Sequence, residues 1–256
     1  MRPKLNELEK IKVGIVNYLN TRPLVYGIEH SPVMKDIIFT GNYPSNLARQ
    51  LINGEIDLGL VPVAVIPSLK SYYLNTDYCI GTEGEVASVC IFSDVPLEEA
   101  ETLLMDYQSR TSVALAKILL KEYWKLNPEI VATTADYRAQ IKGKVAGLVI
   151  GDRALEQRQK SKYIYDLGTA WRQHTGLPFV FAAWVSTKKL DPGFVSAFNE
   201  ANRLGTTLIE AVVQSLSYEH FDLDAYYNDH ISYTLTNEKM QGLGLFLEKL
   251  TAEKIT

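Results

Sequence analysis

The chain has 256 residues, 46% of them hydrophobic and 22% charged, and its formal net charge is −4 at pH 7. This composition is typical of a globular protein with one large domain or two smaller ones. The basic residues are scattered, which argues against a nucleic-acid surface and favours a small-molecule partner. No apolar run approaches the roughly 20 residues that span a bilayer, and the first residues carry no apolar signal segment. We therefore expect a cytoplasmic protein whose Cys79 and Cys90 are reduced and buried.

The first part of the chain alternates strand and helix patterns. Strands are predicted at 11–16, 36–40 and 57–63. Cap-forming residues beside Pro23 and Pro44 predict a helix after each of the first two strands. The βαβαβ order predicts a parallel sheet with binding loops at the carboxyl ends of its strands. Segments 78–80 and 86–92 follow, either as an antiparallel pair or as two strands that leave this domain.

A second αβ unit follows the segment Asp94-Val95-Pro96, which resembles a hinge. Its amphipathic stretch 109–124 predicts a helix, and the chain from Pro192 onward is mostly helical. Further strands are predicted at 102–105, 145–150, 163–166 and 179–185. We expect two α/β lobes with a ligand cleft between them. The first lobe comprises 1–94 and 187–256, and the second, inserted lobe comprises 95–186.

Motifs for several common chemistries are missing from the sequence. The four His residues form no HxxxH pair and no cluster with Cys. The chain also lacks a GxSxG elbow, a Walker-type phosphate loop and a GxGxxG segment placed after a strand. We therefore expect no metal and no cofactor.

The segment 16–24, VNYLNTRPL, resembles the SYLNTxPL signature of the futalosine-pathway enzymes of menaquinone biosynthesis. Asn17 stands where Ser is common in that family. Further similar segments, which together cover most of the chain, are 54–57 with 60–63, Ser88-Val89, 109–112 and 175–181. The resemblance implies a fold like that of the type II periplasmic binding proteins.

Two sister enzymes share this resemblance, a chorismate dehydratase and a 1,4-dihydroxy-6-naphthoate synthase. The synthase is expected to carry a His after the strand that here ends Val149-Ile150, whereas this chain has Gly151-Asp152. The resemblance therefore implies a hydro-lyase that removes water from chorismate to give 3-[(1-carboxyvinyl)oxy]benzoate. The synthase and a non-enzymatic solute-binding protein for a small anion remain the alternatives, since a fold does not fix a function.

The resemblance singles out Asn20 and Ser88 as catalytic residues, although Asn20 could also be a helix cap and Ser88 a plain strand hydroxyl. Chorismate is a dianion, and helix N-termini bind anions. The predicted substrate-binding residues are accordingly Ser45, Asn46, Ser109, Arg110, Thr111 and Ser112, which open two helices. Gly151 and Asp152, directly after the strand 145–150, are predicted to bind substrate as well. No matched motif contains a general base. Either the substrate's own enolpyruvyl carboxylate takes the proton, or His174 reaches the cleft and does so.

Overall fold

A computed structural model describes residues 10–42 and 44–252 of the chain. In chain order the strands are β1 (Ile11–Val16), β2 (Ile37–Asn42), β3 (Leu58–Pro62), β4 (Tyr73–Thr82), β5 (Val89–Ser93), β6 (Thr102–Met105), β7 (Glu129–Ala132), β8 (Val145–Ile150), β9 (Tyr163–Asp166), β10 (Phe179–Ser186) and β11 (Ser232–Thr234). The helices are α1 (Arg22–Glu29), α2 (Pro44–Ile52), α3 (Arg110–Leu119), α4 (Asp152–Gln157), α5 (Leu167–Thr175), α6 (Pro192–Thr207), α7 (Ile209–Gln214), α8 (Leu223–Ala225) and α9 (Asn237–Ala252). No helix in these two ranges is long and apolar enough to cross a membrane.

The described strands form two sheets, which confirms the prediction of two α/β lobes. The first sheet has the spatial order β11-β4-β10-β3-β1-β2, and the second has the order β7-β6-β8-β5-β9. β1 pairs in parallel with β2 and β3, and β6 pairs in parallel with β7 and β8. The remaining pairs are antiparallel. The parallel strands of each sheet thus end at one common edge, where ligand sites form in such folds.

The chain passes between the sheets twice, and both crossings lie earlier than the boundaries predicted at 94 and 187. β4 belongs to the first sheet and β5 to the second, so the first crossing is the segment 83–88. The second crossing lies between α5 and β10. Pro96 was predicted to lie in a hinge, but it precedes a 3₁₀ turn that connects β5 and β6, two strands of the second sheet. Local composition reveals turns, whereas the sheet that a strand joins depends on its distant pairing partners.

Other differences from the predicted elements are smaller. The predicted helix 109–124 divides into α3 and a π-helical turn, Leu120–Trp124, which ends at Lys125 in a left-handed conformation. The short strand β11 was not predicted, because it interrupts a stretch with helical character. Cys79 and Cys90 are free and buried, as expected, and they lie in different sheets.

Two glycines allow α1 and α6 to pack at very short range. A Cβ on Gly27 would lie 2.0 Å from the carbonyl oxygen of Ala201, and one on Gly205 would lie 1.8 Å from that of Pro23. A side chain at either position would therefore force the helices apart. This contact fixes the position of α1, which directly follows the 3₁₀ turn Leu19–Thr21.

An aromatic cluster holds the second crossing in place. Trp171 of α5 contacts Phe179 of β10 at a ring-centroid distance of 5.2 Å, and Phe179 contacts Phe246 of α9 at 5.0 Å. All three side chains are buried. Because edge-to-face packing of this kind restricts ring movement, the crossing joins the two sheets through a packed core.

Candidate active site

A cleft lies between the two sheets at the carboxyl ends of β1, β3 and β8, and it encloses about 610 Å³ with its open mouth included. Its apolar lining consists of Val16, Leu60, Pro62, Ile80, Val86, Val89, Ile150, Phe181 and Ala182. Its polar lining consists of Tyr18, Asn20, Thr21, Ser88, Ser109 and Ser112, and Gly151 completes the wall. None of these described lining residues carries a charge. An anion in the cleft would thus be held by hydroxyl, amide and backbone groups.

Asn20 lies in a 3₁₀ turn, Leu19–Thr21, between β1 and α1. Its backbone is held from two sides. Its carbonyl accepts a hydrogen bond from Tyr233 Oη at 2.9 Å, and the neighbouring Thr21 Oγ1 donates to Val16 O at 2.8 Å. Its side-chain Oδ1 is buried and has no hydrogen-bond partner in the described chain. The N-cap of α1 is Thr21, so Asn20 is not the cap of this helix. A buried oxygen without a partner on a cleft wall is suited to a ligand donor.

Ser88 is the last residue of the first crossing and is fully buried. Its Oγ accepts a hydrogen bond of 2.7 Å from Tyr226 Oη. The preceding residue, Ala87, has φ = 60°, and Ser88 N donates to Val86 O at 2.7 Å. These values describe a γ-turn, a conformation that is strained for a residue with a Cβ. Strain of this kind persists only where the surrounding structure enforces it.

Asp166 enforces the Ala87 turn. Its carboxylate accepts hydrogen bonds from Val86 N at 3.1 Å and Ala87 N at 2.8 Å, and it caps α5 through Thr169 N at 2.9 Å. Burial raises the pKa of this carboxyl group, and the three backbone donors oppose the shift. Arg158 Nη1 adds a bond of 3.2 Å to Ala87 O. Asp166 therefore determines where the backbone of Ser88 lies.

The first turn of α3 combines a helix cap with a cleft wall. Ser109 Oγ accepts from Ser112 N at 3.1 Å and donates to Ser112 Oγ at 2.9 Å, and both residues line the cleft. Thr111 is turned away from the cleft, because its Oγ1 accepts from Ala64 N at 3.1 Å and ties α3 to the first-sheet side. Arg110 is exposed and lines a separate surface cavity. The predicted segment 109–112 thus contributes two of its four residues to the cleft.

Gly151 and Asp152 follow β8. Gly151 has φ = 61°, which favours glycine, and its N–H donates to Ser88 O at 2.7 Å. Asp152 is not among the lining residues; its Oδ1 accepts from Leu19 N at 3.0 Å and joins the two sides of the cleft. Burial raises the pKa of Asp152, and the hydrogen bond from Leu19 opposes this shift. Both residues shape the site, but only Gly151 faces it.

The remaining predicted residues lie elsewhere. Asn46 is exposed on α2 and is not among the residues that line the cleft. The side chain of Ser45 lies outside the described residues, so its role stays a prediction. His174 lies on α5, where its Nε2 is 3.0 Å from Glu122 Oε2, and it does not line the cleft. It is therefore not positioned to act as the base.

Two supporting features were missed by the sequence-based predictions. Tyr18 Oη donates to Gln108 Oε1 at 2.7 Å across the cleft. Arg153 donates to the same Gln108 oxygen at 3.0 Å and to Asp106 at 2.7 Å. Arg153 is thus paired with a buried carboxylate. The second feature is Tyr226, which no motif marked; only its contact with Ser88 in the folded chain reveals it.

Comparisons with known proteins agree with this description. The family model for menaquinone biosynthesis matches residues 11–252. A chorismate dehydratase of Thermus thermophilus is 28% identical over 93% of this chain and 94% of its own length. A chorismate dehydratase of Campylobacter jejuni is 31% identical over 69% of this chain and 67% of its own length.

Solved structures show the fold. A protein from Archaeoglobus fulgidus superimposes with a TM-score of 0.77 at 15% identity, covering 98% of this chain and 100% of its own. The alkanesulfonate-binding protein of Xanthomonas axonopodis pv. citri superimposes with a TM-score of 0.66 at 12% identity, covering 98% of this chain and 95% of its own. The predicted periplasmic-binding-protein-like fold is thereby confirmed. Because the family match runs from β1 to α9 and includes every element of the cleft, the chain belongs to the menaquinone biosynthesis family.

Proposed function

We propose that this protein is a chorismate dehydratase that supplies 3-[(1-carboxyvinyl)oxy]benzoate for menaquinone biosynthesis. Family membership and the names of the two curated relatives support this reading. The observation that carries it is the buried, unpartnered Asn20 Oδ1, which lines the same cleft as Ser88. These groups offer an acceptor and a donor to the hydroxyl and ether oxygens of a ligand.

The reaction breaks the C3–H and C4–O bonds of chorismate and forms a ring double bond, and the proton and the hydroxyl group leave as water. Asn20 Oδ1 accepts a hydrogen bond from the 4-hydroxyl group, and Ser88 orients the neighbouring oxygens. Aromatisation of the ring supplies the driving force. Positioning of the reacting groups is then the main task of the protein.

The ring carboxylate acidifies C3–H, and charge develops on this carboxylate as the proton leaves. The hydroxyl group of Ser112, in the first turn of α3, is suited to hold it, because its oxygen accepts from Ser109 and its hydrogen remains to be donated. Donors aimed at developing charge in a site that excludes water usually contribute more to catalysis than any other single effect. The apolar lining of the cleft strengthens them, because it lowers the local dielectric.

The described lining residues include no His, Asp, Glu or Lys that could take the C3 proton. This supports a substrate-assisted step in which the enolpyruvyl carboxylate of chorismate accepts the proton. The pairing of His174 with Glu122 outside the cleft supports the same step, because it removes the other candidate base.

The cytoplasmic location remains a prediction.

Incubation of the purified protein with chorismate, followed by chromatography, tests the proposal. We expect the aromatic product to accumulate with wild-type protein and to fall by at least about 100-fold with Asn20→Ala. Binding of chorismate without any product would contradict the proposal and favour a solute-binding protein. Turnover of cyclic dehypoxanthine futalosine instead would favour the sister synthase.

A further inference from the structure

Tyr226 begins a π-helical turn, Tyr226–His230, directly after α8. Its side chain is fully buried, and its ring packs edge-on against Phe221 at a centroid distance of 6.0 Å. Its hydroxyl group reaches across 138 residues of sequence to donate to Ser88 Oγ at 2.7 Å. Both groups are inaccessible to water in this structure, so the bond is not exchanged for one to solvent.

The bond determines what the Ser88 hydroxyl can do. A serine oxygen has one hydrogen to donate and two lone pairs to accept. Tyr226 occupies one lone pair, so the hydrogen of Ser88 must point elsewhere. Among the described residues it bonds to Val86 O at 3.4 Å, which is long for an O–H···O bond, and this oxygen already accepts from Ser88 N. A ligand oxygen in the cleft at ordinary distance is the better acceptor.

Tyr226 itself keeps its proton. Burial raises the pKa of its phenol well above the usual value, and the negative charge of Asp152 raises it further. A buried tyrosinate would lack compensation for its charge. Tyr226 is thus a hydrogen-bond donor to Ser88 and does not pass a proton through it to the leaving group.

We propose that Tyr226 is a positioning residue for the dehydration, which fixes the rotamer of Ser88 and directs the Ser88 hydrogen into the cleft. This inference rests on the proposed function for its consequence in turnover, but the rotamer itself can be observed without substrate. The hydrogen bond also polarises the Ser88 hydroxyl, since linked hydrogen bonds strengthen one another.

Tyr226→Phe keeps the ring and removes the donor. We expect kcat to fall by about tenfold with KM changed less than about twofold, because the directed hydrogen acts mainly as charge develops. Tyr165→Phe is the matched control: Tyr165 Oη accepts from Leu97 N at 2.8 Å, on a strand at the edge of the second sheet. It should lower the melting temperature and leave kcat unchanged. An unchanged kcat in Tyr226→Phe would contradict the proposal.

A double-mutant cycle separates positioning from simple loss of packing. In a Ser88→Ala background, Tyr226→Phe should cause no further fall in kcat, because the group it directs is gone. Independent, multiplying effects of the two substitutions would contradict the proposal.

A crystal structure of Tyr226→Phe supplies the readout that needs no activity. Ser88 should leave its single rotamer and occupy two or more. If Ser88 stays in place, Tyr226 does not position it. If wild-type protein yields no product from chorismate while Ser88 moves in the variant, the proposed function fails and the positioning role stands.

Discussion

The end of β1 and the tyrosine-rich segment 218–233 meet at the same cleft, but their polar groups are used differently. Asn20, after β1, directs a buried oxygen into the cleft with no partner in the described chain. In the segment 218–233, the hydroxyl groups of Tyr226 and Tyr233 donate hydrogen bonds to other residues of the protein. The comparison distinguishes residues that face a ligand from residues that hold those residues in place.

The segment 218–233 supports both candidate catalytic residues, Asn20 and Ser88. Tyr226 bonds to the side chain of Ser88, and Tyr233 bonds to the backbone of Asn20, so one short segment holds both candidate catalytic residues. Because both bonds begin on one segment, a displacement of that segment would disturb both residues together. Single substitutions can separate the facing groups from the supporting groups.

The largest effect is expected from Asn20→Ala. Removing an oxygen that faces the cleft should lower kcat by about 100-fold or more. The melting temperature should change by only a few degrees, since this oxygen has no bond to lose within the described chain. Steady-state kinetics and thermal melting measure the two. A variant that fails mainly by unfolding would place Asn20 among the supporting residues.

Asp166→Ala should have the next largest effect. It removes both carboxylate oxygens, which accept from Val86 N and Ala87 N, so the strained turn before Ser88 would relax. We expect a loss of stability of about 1 to 3 kcal/mol and a fall in kcat of about tenfold. Asp191→Ala, which removes the N-cap acceptor of Phe194 N in α6, is the control and should leave kcat unchanged. Equal kcat in the two variants would show that the turn before Ser88 does not affect turnover.

Tyr233→Phe should lower kcat by about fivefold, because Asn20 O loses its donor and the turn Leu19–Thr21 gains freedom. Tyr218→Phe removes a similar bond, of 3.1 Å to Asp152 O, from the same segment. Since Asp152 does not line the cleft, this second variant should keep nearly full activity. A larger loss in Tyr218→Phe than in Tyr233→Phe would reverse the assignment of support to Asn20.

The smallest effect is expected from His174→Asn. His174 and Lys249 both contact Glu122 Oε2, so Lys249 still balances this carboxylate after the change. Turnover should stay near the wild-type level. The pH profile of turnover should show no ionisation near pH 6.5, which is roughly the pKa of a free His. A collapse of turnover in a folded variant would make His174 the missing base.

The local pattern of β1, β6 and β8 was enough to predict their bounds, and the signature around Asn20 predicted a residue of the cleft. The crossings could not be predicted in the same way, because the apolar run 86–92 has the same composition whichever sheet it joins. Thr111 and Asp152 belong to segments predicted to bind substrate, but the fold uses them to join its two sides. Tyr233 could not be found at all, since 213 residues separate it from Asn20.

The place of Ser88 in the first crossing has a consequence for any movement of one lobe against the other. A rotation of one sheet against the other would have its axis near the two crossings, because they connect the sheets. Atoms in the crossings would therefore be displaced least. Ser88 lies in the first crossing, whereas Asn20 follows β1 of the first sheet and Ser109 follows β6 of the second. Closure of the lobes on a ligand would therefore change the positions of Asn20 and Ser109 more than that of Ser88.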